Sequence, residues 1–378
     1  MEADGLASLG ALRSLAAKAS QVRESSIEDF LSTQAELKGK PFSVRFANRS
    51  LAAGASGGTL MFDVEYVSDG QKSIEEFVLR FDLGDAGIFS QVSLVDQYEI
   101  MRALRRFGVA APEARWIDRG GKIVAGSEAL IMGRINAPTP CIQYLQAGPY
   151  AEASPELRRR MVAQLMSFVA GLHQIRAADF GVPSLWSRGG AGLYFIDREI
   201  VWAQNELHAR FPGIETGERA ALHTDIRQTL DRAAGVLRRI APQGLEPAII
   251  HGDPTFANAM FDRDGNLVAM LDWELCHHGL PAEDVTYFLS AARVIASLGG
   301  IKAEPPGRDE AIAAYEAAGG RPENWDFAAA LSTFRLASWG AVGMRRMPRE
   351  HWPAQKLMWE LQKAELSAAL GVLAATAD

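Results

Sequence analysis

The chain has 378 residues, 48% of them apolar and 22% charged, with a net charge of -7. That length exceeds one ordinary core and sets an expectation of two lobes. The acidic balance argues against a nucleic-acid binder, which carries a basic surplus. The two cysteines, Cys141 and Cys276, lack CxxC or metal-ligand spacing, which argues against a disulfide framework or a zinc site and fits a reducing cytoplasm. No apolar run reaches the ~18 residues of a membrane span.

The first 44 residues read as a helical extension, beginning with an Ala- and Leu-rich stretch broken by Arg13 and Lys18. Strand patterns follow at 42–47, 59–67 and 76–81, and the Ser68-Asp69-Gly70-Gln71 turn predicts that the last two form a hairpin. Residues 92–107 have helical spacing, and 114–117 and 129–135 read as two more strands. From Ser154 the period changes. Ser154 is an N-cap followed by Pro155 at the first helical position, and the apolar stripe Met161, Leu165, Phe168, Val169 and Leu172 runs on to about Ile175. Helical patterns recur near 196–209, 217–240, 281–296, 308–318, 324–343 and 352–375. One island interrupts them: P-A-I-I-H-G-D, a polar loop, then N-L-V-A-M-L-D-W, which we expect to form a hairpin. The outline is α+β and bilobal, with an N-lobe over 45–134 built on a small antiparallel sheet and a mainly helical C-lobe over 135–378.

The island carries the chemistry. It reads His251-Gly252-Asp253-Pro254-Thr255-Phe256-Ala257-Asn258, and Asp272-Trp273-Glu274 comes fourteen residues after the asparagine. Phosphoryl transfer needs a nucleotide γ-phosphate, Mg²⁺ and an acceptor hydroxyl held in line, with little covalent help from protein. Mg²⁺ takes hard oxygen ligands from one or two carboxylates. Asp253 is placed to accept or orient the acceptor proton, with Asn258 and Asp272 as metal ligands.

This H-G-D-x-x-x-x-N…D-W-E pattern resembles the aminoglycoside phosphotransferase-like (APH/choline kinase) family, small-molecule relatives of the protein kinases, whose corresponding loops read H-R-D-x-x-x-x-N and D-F-G. The resemblance covers roughly residues 45–345 and includes Leu172-His173 and the Gly279-Leu280-Pro281-Ala282-Glu283-Asp284 segment, in which Leu280 stands where Asp is common. It implies a protein-kinase-like fold and a kinase using ATP or GTP with Mg²⁺. It further implies a phosphate-covering loop with Gly54, Ser56, Gly57 and Gly58, a nucleotide-binding Arg80 partnered by Glu99, and a connector at Met132 and Arg134 that reads the base. Two departures stand out: Arg80 replaces the protein-kinase lysine, and the glycine loop is not G-x-G-x-x-G.

Other residues near the motif read first as structural. His251 and His173 are expected to hydrogen-bond and fix the loop, and Asp284 to brace its backbone. His277-His278 and Glu274 are secondary candidates for contact with acceptor or metal. The insert at roughly 180–245 holds Trp186, Tyr194, Phe195 and Trp202 interleaved with Arg188, Arg198 and Arg210, and no dense acidic cluster. A polycationic aminoglycoside calls for acids, because each desolvated ammonium needs a partner. The insert fits an apolar or anionic hydroxylated acceptor better, such as a hydroxy-acid or its thioester. The alternatives are an aminoglycoside kinase, a pseudokinase that binds nucleotide without chemistry and, weakest, a metal-dependent hydrolase. Both termini could pack on their own chain or join two protomers, so monomer and homodimer stay open.

Overall fold

The computed structural model describes residues 17–53, 57–68, 71–84, 87–210, 218–344 and 352–377. The chain divides into two compact units, the first comprising the described residues up to 102 together with 112–135, the second the other described residues.

The first unit is an antiparallel sheet with a helix packed on it. Helix α1 (Glu24–Ser32) precedes β1 (Phe42–Ala53), β2 (Gly57–Ser68) and β3 (Gln71–Asp82); after α2 (Leu94–Arg106) come β4 (Ala114–Asp118) and β5 (Ala129–Gly133). The sheet order is β1-β2-β3-β5-β4. Strands β2 and β3 pair from Gly57↔Asp82 to Ser68↔Gln71, the hairpin that the turn residues predict. Their two-residue period separates a core face (Phe62, Val64, Phe77, Leu79, Phe81) from the opposite one. Ile27, Phe30 and Leu31 of α1 join the core, and Glu24 and Glu28 accept the Phe46 and Val44 N–H groups of the β1 edge. The segment ahead of the sheet thus shares its core.

The second unit is helical. Short α3 (Gly148–Glu152) leads into α4 (Pro155–His173), where Ser154 accepts the Leu157 N–H at 3.2 Å, as the capping pattern predicts. The insert follows as α5 (Ala177–Phe180), α6 (Pro183–Ser187), α7 (Phe195–Arg210) and α8 (Glu218–Ile240). Beyond the motif segment lie α9 (Ala282–Ser297), α10 (Arg308–Ala317), α11 (Trp325–Met344) and α12 (Trp352–Ala377). Helices α7, α8, α11 and α12 bury one continuous apolar core, including Ile200, Leu230, Phe334 and Trp359. The small strands correct one expectation. β6 (Ala248–Ile250) does not pair with the strand that leads to Asp272; it pairs with β9 (His277–Gly279), while β7 (Ala259–Phe261) pairs with β8 (Leu267–Met270). Two ladders in place of one hairpin hold both ends of the Asp253 loop. The sequence hides this because strands of three or four residues carry no usable period. No described helix is long and apolar enough to cross a membrane.

Candidate active site

Strand β6 delivers the chain into the loop at His251, and Gly252 makes the turn. Its φ is +90°, and a Cβ there would lie 2.3 Å from the Leu275 carbonyl oxygen, so only glycine fits. Asp284, at the start of α9, accepts both the His251 and the Gly252 N–H at 2.9 Å. From the other side Arg335 of α11 donates to the Gly252 carbonyl at 3.0 Å. His251 Nε2 donates to the Leu271 carbonyl at 2.9 Å, leaving Nδ1 to accept the Asp253 N–H at 3.2 Å. Burial pushes the His251 pKa down, so the ring is neutral and its tautomer is set by these two bonds. His173 spans Asp284 (3.1 Å) and the Tyr315 hydroxyl (2.7 Å). These are the bracing roles expected of His251, His173 and Asp284.

The loop then presents its chemistry. Asn258 Nδ2 donates to the Asp253 carboxylate at 2.8 Å and to the Asp253 carbonyl at 3.0 Å. With the amide's donor side committed to Asp253, the Asn258 oxygen is the atom left for a cation. Burial first, and then the nearby Asp272 carboxylate, push the Asp253 pKa up to about 7, against opposing hydrogen bonds from Asn258 and Thr255 and the charge of Arg335. Asp272 sits in the left-handed region (φ 60°, ψ 69°), which non-glycine residues rarely adopt and which gathers at functional sites. A carboxylate at Asp272 close enough to raise the proton affinity of Asp253, beside an amide oxygen, completes the hard-oxygen set that Mg²⁺ accepts. Among the described residues no group of three His, Cys, Asp or Glu side chains gathers at metal-binding distance.

The nucleotide candidates lie in the first unit. Thr59 pairs with Arg80, Val78 with Met132, and Gly57 with Asp82, so Arg80, Met132 and Gly57 share the sheet face opposite the core. A Cβ on Gly57 would lie 3.2 Å from Arg80 Nε. Gly58, one residue on, belongs to the other face, and Gly54 and Ser56 lie outside the described residues. Arg134 pairs with Glu76 at 3.1 Å. Glu99 is turned outward, its side chain 46% exposed and paired with Arg119 at 3.0 Å. The polar residue that α2 buries is Gln97, 3% exposed.

Sequence reasoning missed a buried ion triad beside the loop. Glu199 of α7 binds Arg188 Nε at 3.0 Å and Arg335 Nε at 2.9 Å. Burial alone would raise the Glu199 pKa, but His277, Arg188 and Arg335 draw it down to about 2. The available signal was Arg335 itself, the lone charge between Asp326 and Arg345 in an otherwise apolar helix. Of the secondary candidates, His277 contacts Glu283 and the Leu275 carbonyl, and Glu274 is buried.

The fold and loop define a kinase-like phosphotransferase class, and comparison with known proteins agrees. The model of the phosphotransferase enzyme family matches residues 57–331, about three quarters of the chain, and the chain belongs to that family. Curated relatives are distant: acyl-CoA dehydrogenase family member 11 of Rattus norvegicus is 23% identical over 281 residues, covering 71% of this chain and 33% of its own length. Family member 10 of Mus musculus is 25% identical over 292 residues, covering 69% and 26%. The chain therefore spans about a third or less of these relatives. Among solved structures, a candidate aminoglycoside phosphotransferase of Ralstonia eutropha superposes with a TM-score of 0.64 at 20% identity, covering 92% of this chain and 98% of that one. Plasmodium vivax ethanolamine kinase gives 0.56 at 11%, covering 91% and 85%. Aminoglycoside phosphotransferase APH(4)-Ia, solved with AMP-PNP and hygromycin B, gives 0.51 at 15%, covering 91% and 98%. At these identities the likeness is one of fold.

Proposed function

We propose that the protein transfers the γ-phosphate of ATP or GTP to a hydroxyl of a small molecule in the cytoplasm. Asp253 takes the acceptor's proton as the hydroxyl oxygen bonds to the γ-phosphorus, and the bond from that phosphorus to the β–γ bridging oxygen breaks, releasing nucleoside diphosphate. The observation that carries the reading is the convergence of Asp253, Asn258 and Asp272 on a loop braced by Asp284 and Arg335. Mg²⁺, held by Asn258 and Asp272, would neutralise phosphate charge there. Asn258 orients the Asp253 carboxylate, and the elevated proton affinity of Asp253 suits a base that must take up a hydroxyl proton near neutral pH. Gly54, Ser56, Gly57, Gly58, Arg80, Met132 and Arg134 are the proposed nucleotide contacts. Arg80 can fork onto phosphate as well as a lysine can. Glu99 is dropped from this set in favour of Gln97, because Glu99 is turned outward onto Arg119. The proposed acceptor is a hydroxy-acid or its thioester, on the grounds that the insert brings arginines and aromatics to the unit that holds the loop.

Thermal shift with ATP, GTP and their analogues, with and without Mg²⁺, tests the reading. Saturation at ~100 times the dissociation constant adds about 2.7 kcal/mol of stability. A Mg²⁺-dependent shift that persists in Asp253→Asn, with turnover abolished, is the expected result. Full turnover in that variant would remove Asp253 from its role, and no shift with any nucleotide would leave a non-catalytic relative.

A further inference from the structure

Most buried charges of the second unit are matched. Glu199 sits between Arg188 and Arg335, Asp284 meets His173, and Glu283 meets His277. Arg198 is not matched in this way. It is 6% exposed, yet among the described residues no carboxylate lies within ion-pair distance of it. Nη1 donates to the Leu185 carbonyl at 3.0 Å, while Nε is buried with no hydrogen-bond partner. Burial pushes its pKa down. A buried cation without a counter-ion costs several kcal/mol, so its persistence points to a compensating group from outside the chain.

A second orphan lies beside it. His278, on β9, is 3% exposed and its Nδ1 has no partner. Burial, and then the charge of Arg198, depress its pKa to about 3, so the ring is neutral and can donate or accept. Both residues meet the same indole: Trp186 stands edge-on to the His278 ring at 4.2 Å, and the Arg198 guanidinium carbon lies 5.4 Å from its centroid. Trp186 is 43% exposed, so this group reaches the surface through the tryptophan. The catalytic loop is near along the backbone. His278 pairs with Ile249, four residues before Asp253, a span of at most about 14 Å.

We infer that Arg198, His278 and Trp186 form the recognition site for an oxyanion, a carboxylate or phosphate, carried by the molecule whose hydroxyl is phosphorylated at Asp253. The guanidinium supplies the missing counter-charge and the His278 nitrogen a second polar contact. The indole covers the apolar stem between anion and hydroxyl. Polycations are refused because they would face an uncompensated arginine. Naming the ligand as the phosphoryl acceptor rests on the proposed function; the preference for an anion rests on Arg198 alone.

The test is calorimetric titration of the full chain, without nucleotide, using a ladder of ω-hydroxycarboxylates from glycolate upward. Matched amino alcohols from ethanolamine upward and hydroxyalkyl phosphates serve as the other arms. We expect one anionic arm to bind, the arm identifying which oxyanion, and Arg198→Met to weaken it at least about tenfold. Arg198→Met should fold with a melting temperature no lower than wild type, since an apolar isostere relieves an unmatched charge. A structural arginine would do the opposite, lowering the melting temperature and leaving affinity unchanged. Should Arg198→Met fail to fold, Arg198→Lys and Trp186→Ala carry the same comparison. Equal binding of the amino alcohols, no binding of any anion to wild type, or unaltered affinity in the folded variants overturns the inference. Mg²⁺–nucleotide binding is measured on the same samples: its absence beside intact anion binding would sink the phosphotransferase reading and leave this one standing.

Discussion

Replacing Asp253 by Asn in metal-free protein should stabilise the second unit in a pH-dependent way. The Asp253 pKa stands at about 7, against 3.8 for an ordinary aspartate, because of burial and then Asp272. A carboxyl whose proton affinity is raised by folding destabilises the fold once it must ionise. Below pH 4 both folded and unfolded states hold the proton and nothing is lost. Between pH 4 and 7 the unfolded chain ionises while the folded one stays protonated, so stability falls as pH rises. Above pH 7 the full penalty is in place. At 1.36 kcal/mol per unit the elevation corresponds to about 4 kcal/mol. Asp253 keeps partial solvent contact, so about 2–4 kcal/mol is the working range.

An asparagine side chain cannot ionise, so the variant escapes that penalty. The assay is thermal unfolding in chelator across pH 4–9. With about 2 °C per kcal/mol for a unit of this size, Asp253→Asn should melt about 4–8 °C above wild type at pH 8 and level with it near pH 4. A difference independent of pH, or a variant less stable at pH 8, would refute the electrostatic reasoning. Catalytic loss in a more stable variant is the signature expected of a functional residue.

Other substitutions probe the supports. Gly252→Ala must place a Cβ 2.3 Å from the Leu275 oxygen at φ +90° and should cost about 3 kcal/mol or more, read by chemical denaturation. Arg335→Met leaves Glu199 with one of its two arginines and frees the Gly252 carbonyl; we expect about 3–5 kcal/mol of destabilisation, with partial rescue by Arg335→Lys. Asn258→Ala should raise the Mg²⁺ concentration needed for half-maximal nucleotide-dependent turnover at least about tenfold, with a far smaller change in metal-free stability. Ser154→Ala should cost about 1 kcal/mol without touching turnover.

The sequence made the long elements legible. The stripe ending at His173 and the helices of the insert and C-terminal third fall within a few residues of their predicted ends, because 3.6-residue periodicity over three or more turns outweighs local noise. The β2–β3 hairpin was readable from its turn residues. The pairing of β6 with β9 was not, since strands this short are held by the loops around them. In the site, Asp253, Asn258 and Asp272 were visible as a spaced motif. The Arg188–Glu199–Arg335 triad was not, because its members lie on α7, α11 and the segment between α6 and α7, and no sequence period links them. On α2 the sequence offers Gln97 and Glu99 two residues apart, and only the helix's phase against the sheet decides which is buried.

The bracing of the loop explains how two unusual backbone conformations persist there. Asp272 at φ 60° needs surroundings that over-determine it, and Gly252 at φ +90° makes a turn that only glycine fits. The Gly252 peptide is held by Asp284 on its N–H and Arg335 on its carbonyl, and Leu271, next to Asp272, is tied by His251 and by its own N–H to the Asn258 carbonyl at 2.7 Å. These anchors come from α9, α11 and the loop itself, so Asp253 and Asp272 are kept close despite their repulsion. Release of one anchor should let the carboxylates separate and lower the Asp253 pKa. Charge removed with Arg335 would instead raise it. Asp284→Asn keeps side-chain volume while weakening two backbone hydrogen bonds to the loop, so the midpoint of the pH-dependent stability in Asp284→Asn separates the two effects. A fall towards pH 5–6 supports repulsion held in place by the braces. An unchanged midpoint in a folded variant would mean that burial alone sets the proton affinity of Asp253.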